Sequence, residues 1–229
     1  MLRKIVLALI IAVVPLCWSV QHCHAQEADY YRMEVGGGVG MWNYLGDFNG
    51  NLTRGFQPQA SALWKYLPNE RMAFKVDFSL GNIKGKAADA KGYLPEKWKD
   101  YEFKTSLYDL SAMFEYNFWR HGMDGDYRHL HRLVPYITLG IGATYFSSTD
   151  MKKAAFSFPI GFGGKYKIAE RLNLGLEWIM HFTTSDEIDV AKDPYGIPST
   201  GMFKNTDGFG QLKLYITYSF MAKCRQCNN

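Results

Sequence analysis

The chain has 229 residues, of which 47% are hydrophobic, 16% aromatic and 21% charged. That apolar content excludes a disordered chain, and 22 Gly with 8 Pro exclude a collagen-like repeat. A formal charge of +4 is too mild for a nucleic-acid binder, and a mean hydropathy of −0.23 argues against a bundle of membrane helices.

Residues 1–25 have the make-up of a cleaved export signal. Arg3 and Lys4 give a positive start, residues 5–14 form an apolar run, and Cys23-His24-Ala25 offers small residues at the two positions a signal peptidase inspects. The run is too short for a spanning helix, which needs about 20 residues. Leu16 and His22 are too bulky for a lipoprotein anchor at Cys17 or Cys23. Cleavage after Ala25 leaves only Cys224 and Cys227, so packing or backbone pairing must hold the domain together.

From there the chain alternates with period two, predicting strands over about 33–42, 56–66, 72–81, 107–118, 134–146, 156–168, 172–183 and 211–220. The first strand sets Glu34, Gly36, Gly38 and Gly40 on one face, and the third sets Lys75 and Asp77 against Phe74 and Phe78. In the fourth, Tyr108, Leu110, Ala112, Phe114, Tyr116 and Phe118 oppose Asp109, Ser111, Met113, Glu115 and Asn117. Gly140 and Gly142 lie on the polar face of the fifth strand, and Gly161, Gly163 and Lys165 on that of the sixth. The seventh puts Leu172, Leu174, Leu176, Trp178, Met180 and Phe182 against Glu177 and His181. The last puts Leu212, Leu214, Ile216, Tyr218 and Phe220 against Gln211, Lys213, Tyr215, Thr217 and Ser219.

An even number of strands, each roughly 9–12 residues long and joined by alternating short and long connections, suits tilted membrane spans. The expected fold is all-β: an eight-stranded antiparallel up-and-down transmembrane barrel over residues 26–220, followed by a tail over 221–229. A secreted barrel of the lipocalin type has the same strand count, and wetting separates the two. The apolar face carries Phe74, Phe78, Phe114, Phe156, Phe158, Phe162, Leu174, Trp178 and Phe182, too much ring volume for so narrow a lumen. The polar face carries Glu34, Lys75, Asp77, Asp109, Glu115, Lys165, Glu177 and Lys213, mixed charges able to pair as a lumen plug. Tyr66, Tyr116, Tyr145, Tyr166 and Tyr218 fall near strand ends, at the expected lipid–water boundary. The export signal and the even count place the barrel in the outer membrane, with both termini periplasmic and the long loops outside.

No chemistry-bearing constellation stands out. Gly36-Gly37-Gly38-Val39-Gly40 lacks the G-x-G-x-x-G spacing of a nucleotide loop. His121, His129 and His131 lack regular ligand spacing, so no metal or cofactor is expected. Cys224 and Cys227 are expected to form a disulfide, within the tail or to another chain. A hydrolytic set drawn from Glu177, His181 and Ser185 is opposed by geometry, because residues four apart on a strand stand about 13 Å apart. The short-turn rim is basic: Arg71, Arg120, Arg128, Arg132, Lys167, Arg171, Lys223 and Arg225 face Glu70, Asp124, Asp126 and Glu170. With His121, Tyr127, His129 and His131 it offers a docking surface for a periplasmic partner or for lipid headgroups.

Glu34-Val35-Gly36-Gly37-Gly38-Val39-Gly40 running into Asn43-Tyr44-Leu45-Gly46-Asp47 resembles the opening strand of the PorG-like outer-membrane proteins of the type IX secretion system. Tyr215-Ile216-Thr217-Tyr218-Ser219-Phe220, followed by Lys223-Cys224-Arg225-Gln226-Cys227-Asn228, is similar to that family's close. The resemblance spans residues 26–229 in length and strand order. It implies a non-enzymatic structural barrel that anchors a periplasmic ring made by a lipoprotein and its partner subunit. That machine exports proteins with a C-terminal sorting domain, virulence proteases among them. No catalytic residue and no small-molecule substrate carry over. Two other readings stay open: a surface adhesin working through residues 82–104 and 184–207, and a lipid-modifying enzyme. A conducting pore is opposed by the width of an eight-stranded lumen.

Overall fold

The structure is a computed structural model, and it describes residues 30–45, 55–86, 102–123, 130–147, 152–184 and 208–223. The export-signal segment, Tyr127, Arg128, His129, Cys224, Arg225, Cys227, and the side chain of Lys223 lie outside the described residues.

Eight strands follow one another: β1 Tyr30–Leu45, β2 Gln57–Asn69, β3 Met72–Lys86, β4 Glu102–Asn117, β5 Leu133–Ser147, β6 Lys152–Ala169, β7 Leu172–Thr183 and β8 Gly208–Lys223. Each pairs antiparallel with its sequence neighbours, and β1 pairs with β8 from Tyr30↔Lys223 to Leu45↔Gly208, closing the barrel. Among the described residues no strand edge is left free, and apart from a gap in the β5–β6 ladder opposite Pro159 the wall pairs its backbone within the sheet, the condition for crossing a hydrocarbon layer.

All eight expected strands are present, but several are longer than the alternation suggested. They run from 12 residues in β7 to 18 in β6, beyond the ~9–11 that a tilted span requires. The ladder continues past the last apolar pair because a neighbouring strand still offers hydrogen bonds there: β3 and β4 stay in register from Met72↔Tyr116 to Lys86↔Glu102. The connection expected over 147–155 therefore shrinks to 148–151, and β8 takes in the first residues assigned to the tail. At the other end, Asn69 closes the β2–β3 turn by accepting hydrogen bonds from the backbone N–H of Arg71 and Met72.

Alternation sorts the side chains as an inverted barrel. Val39, Leu110, Leu139, Ile141, Phe156, Ile160, Phe162 and Leu176 stand outward, and Phe156 keeps 72% of its surface exposed. A contiguous apolar belt of this extent is unfavourable in water and is the surface a bilayer covers. Tyr108 and Tyr145 pair across β4 and β5 at the long-loop end, while Tyr66, Tyr116, Tyr166 and Tyr218 lie towards the short-turn end.

Depth along the wall sets the expected response to charge. Leu139→Arg, midway along β5, should destabilise the barrel by about 2–4 kcal/mol, and Leu133→Arg, at the strand start, by about 0–1 kcal/mol. Urea-induced unfolding from phospholipid vesicles, followed by tryptophan fluorescence, checks both values.

Candidate functional site: a plugged lumen and an arginine-lined rim

The inward faces fill the barrel rather than leaving a channel. Among the described residues, ten carboxylate and lysine side chains are buried there: Glu34, Asp77, Asp109, Glu115 and Glu177, and Lys65, Lys75, Lys165, Lys167 and Lys213. Five acids meet five bases, so the lumen carries no net charge when all are ionised. Each buried ion costs several kcal/mol to desolvate, and only close, hydrogen-bonded partners offset that.

The middle layer is continuous. Glu115 takes Lys65 Nζ on Oε2 at 2.8 Å and Lys165 Nζ on Oε1 at 2.7 Å. Glu177 takes Lys75 at 2.5 Å and Lys213 at 3.1 Å, and Lys213 also pairs with Asp77. Tyr215 and Tyr136 bridge the two clusters. Lys65 donates to the Tyr215 hydroxyl at 3.1 Å, the two hydroxyls are 2.9 Å apart, and Tyr136 donates to Glu177 at 2.8 Å. Each hydroxyl has one proton, so the chain has a single direction: Lys65 to Tyr215 to Tyr136 to Glu177.

Above this layer, Asp109 accepts from Ser111 at 2.5 Å, Thr144 at 2.7 Å and Ser157 at 3.4 Å. His181 Nδ1 stands 3.7 Å from Asp109, beyond hydrogen-bond reach, and its ring stacks on Phe209 at 4.3 Å. Glu177 and His181 are thus held by different neighbours, and Ser185, the third member of the hydrolytic set, lies outside the described residues. Towards the long-loop end the lumen turns apolar, with Trp42, Tyr44, Ile83, Leu107, Phe146 and Phe209 buried.

The structure buries all eight ions expected in the lumen, and it adds Lys65 and Lys167, the latter expected on the short-turn rim and instead 9% exposed. Lys65 follows Trp64 in β2 and alternates with it, so parity alone would have turned it inward. The lumen also holds two rings, Tyr215 on the polar face of the last strand and Tyr136 on that of the fifth. Tyr136 faces Gly163 across β5–β6, and Tyr215 faces Gly175 across β7–β8. A Cβ built on Gly163 would stand 2.6 Å from the Tyr136 ring, and one on Gly175 would run into that of Tyr215. Glycine opposite each tyrosine makes room for the ring to lie flat along the wall.

At the short-turn mouth, Glu34 accepts from Asn173, Thr217 and Ser219 at 3.1, 3.0 and 3.4 Å. Residues 118–123 and 130–132 come together here: His121 forms an isolated bridge with His131, and Gly122 N–H donates to the His131 carbonyl at 3.1 Å. His121, expected on the docking face, instead turns into the mouth, with Nε2 3.1 Å from Asn173 Oδ1. Burial, with Lys165 and Lys167 close by, holds its pKa well below the usual histidine value. His131 stays exposed beside Trp119, with ring centroids 5.8 Å apart. Arg71 and Arg120 are exposed, Arg120 reaching Glu70 at 3.6 Å. Arg132 and Arg171 are half-buried, and Arg171 donates to the hydroxyls of Tyr31 and Tyr218 at 3.1 and 3.3 Å.

A closed eight-stranded wall, apolar without and ionic within, defines a small transmembrane β-barrel whose lumen is a packed core. By sequence, the chain belongs to the family described as Domain of unknown function (DUF6089), matched over residues 8–229. No curated protein matches it. Among solved structures it is similar to Neisserial surface protein A at 14% identity, covering 82% of this chain and 97% of that one with a TM-score of 0.48. It is also similar to Ail, the attachment invasion locus protein of Yersinia pestis, at 12% identity, 83% and 99% coverage and a TM-score of 0.47. The outer membrane enzyme PagL matches at 18% identity, 82% and 99% coverage and a TM-score of 0.42.

Two outcomes follow from the lumen and its mouth. Glu115→Gln strands two buried lysines and should cost about 3–5 kcal/mol, whereas the joint change Lys65→Met, Glu115→Leu, Lys165→Met should recover most of that loss. Urea midpoints of the refolded barrels make the comparison. For His121, the undocked ring takes up a proton near pH 6.5 and the docked ring only at lower pH. The docked turn is therefore fully stabilised above pH 6.5 and loses that stability on acidification towards the depressed pKa. Limited proteolysis within residues 118–132 should accelerate over that window in the native chain and lose this pH dependence in His121→Asn.

Proposed function

We propose that this chain is a non-enzymatic structural barrel of the outer membrane, and that its short-turn end faces the periplasm. There it holds the ring of a type IX secretion apparatus, formed by a lipoprotein and its partner subunit. The observation that carries this reading is the division of labour along the barrel axis. A lumen packed with compensating ions and rings conducts nothing, which leaves the surfaces to act. The short-turn end carries Arg71, Arg120, Arg132 and Arg171 on three successive connections, with Trp119 and His131 exposed. Arginine forks and an exposed indole are the side chains through which protein interfaces draw most of their energy.

The resemblance of the first and last strands to PorG-like proteins supplies the identity of the partner, and the basic rim supplies a surface for it. Cys224 and Cys227 follow the short-turn end of β8 in the sequence, and a disulfide between them would restrict that tail. The barrel's role in this reading is mechanical: it ties a periplasmic assembly to the membrane plane.

Reversing the rim tests it. Arg71→Glu, Arg120→Glu and Arg132→Glu together should reduce recovery of the ring lipoprotein with the tagged barrel from detergent-solubilised envelopes at least tenfold, or about 1.4 kcal/mol of binding. Unchanged recovery with a correctly folded barrel would count against this docking surface.

A further inference from the structure

The ladder between β5 and β6 is interrupted midway. The two strands pair from Leu133↔Tyr166 to Leu139↔Ile160, and again from Gly142↔Ser157 to Ser147↔Lys152. The register is the same on both sides, which sets Gly140 opposite Pro159 and Ile141 opposite Phe158, yet the ladder skips both positions.

The cause is covalent. Proline has no N–H, so Pro159 cannot donate to the strand it faces, and proline is rarely found inside a sheet for that reason. The flanking ladders are intact: Pro159 pairs with His181 on β7, and Gly140 pairs with Met113 on β4. The missing donor leaves the Gly140 carbonyl without a ladder partner, among the outward apolar side chains of Leu139, Ile141 and Ile160. A carbonyl at that depth has no bulk water to turn to. Gly140 cannot cover the gap with a side chain either. A Cβ there would stand 2.2 Å from the Ala112 carbonyl oxygen and 2.7 Å from Met113 Cα, so the β4 backbone lies too close.

Polar groups line the lumen side of the gap. Thr138, two residues before Gly140 on the same inward face, is 1% exposed, and its Oγ1 has no hydrogen-bond partner. Ser157, in the next paired position, donates to Asp109, and His181, beside Pro159, stands 3.7 Å from the same carboxylate. A buried carbonyl and a buried hydroxyl that both lack a partner are the kind of groups a water molecule bridges.

We infer that β5 and β6 part locally at Gly140 and Pro159, and that the opening admits water to the Gly140 carbonyl and the Thr138 hydroxyl. The opening is local because pairing resumes in the same register on either side. It requires a closed barrel, but it depends on neither the ring nor the docking rim.

Amide hydrogen exchange, read by NMR on the full chain refolded into lipid nanodiscs, tests the seam. Heat-modifiable migration on gels confirms separately that each sample is a folded barrel. Asp77, Ser111, Gly142 and Ser157 lie on one register row, so a β3–β4 pair and the β5–β6 pair beside the gap can be compared directly. Gly142 and Ser157 should exchange at least tenfold faster than Asp77 and Ser111. Pro159→Ala restores the donor and should bring the two pairs within about threefold of each other. An oxidised Ile141→Cys, Phe158→Cys pair closes the seam from outside and should slow Gly142 and Ser157 by a similar factor, an effect that dithiothreitol reverses. Equal exchange of the two pairs in the native chain, or a difference that survives both Pro159→Ala and the disulfide, would overturn the proposal.

Discussion

The pairing of charge inside a space that water scarcely enters is the constraint on which the rest of this structure depends. Five carboxylates and five lysines are buried along the axis, and none could stay ionised there alone. Glu115 and Glu177 each hold two lysines, and Tyr136 with Tyr215 joins the two groups into one network. Satisfied in this way, the network fixes which strand faces which, because sliding any strand by one residue would turn its ions out into lipid. The same register carries the apolar belt, so internal compensation and external wetting impose the same solution on every strand.

Filling the lumen also determines what the barrel can do. Eight strands enclose little more than side chains, and here rings and ions occupy that space from the Glu34 layer to the aromatic layer of Trp42 and Phe209. The lumen contributes rigidity, and the outer surfaces remain available for recognition. The two inward tyrosines show how the packing is reached. Each lies over a glycine on the neighbouring strand, so the bulk of a ring on one strand is matched by the absence of a side chain on the next. Gly164, facing outward, leaves its space open to the membrane.

The two ends of the barrel are chemically distinct. Towards the long loops Trp42, Tyr44, Ile83, Leu107, Phe146 and Phe209 add apolar bulk to the interior. Towards the short turns the interior stays polar, and residues 118–123 and 130–132 meet at its mouth, with His121 inward and Trp119 and His131 outside. A docked histidine kept neutral by burial and neighbouring lysines makes that turn stiffer at neutral pH than in acid.

Much of this was legible in the sequence, because a strand's side chains alternate strictly and a barrel has one inside. Parity assigned the eight lumen ions and the outward rings of Phe74, Phe156 and Phe162, and it implied Lys65 as well. Strand count and order followed from the same alternation with the spacing of turns. Parity is blind to what lies across the lumen. That Lys65 and Lys165 share Glu115, that two tyrosines connect the clusters, and that glycines on neighbouring strands admit those rings all depend on register and closure between residues up to 150 positions apart. Strand ends were also hidden, since pairing continues wherever a neighbour offers hydrogen bonds, beyond the apolar pattern. The sequence by itself determined which face of each strand meets lipid; only closure of the wall decided which charges meet each other, because a partner across the axis leaves no mark in the local pattern.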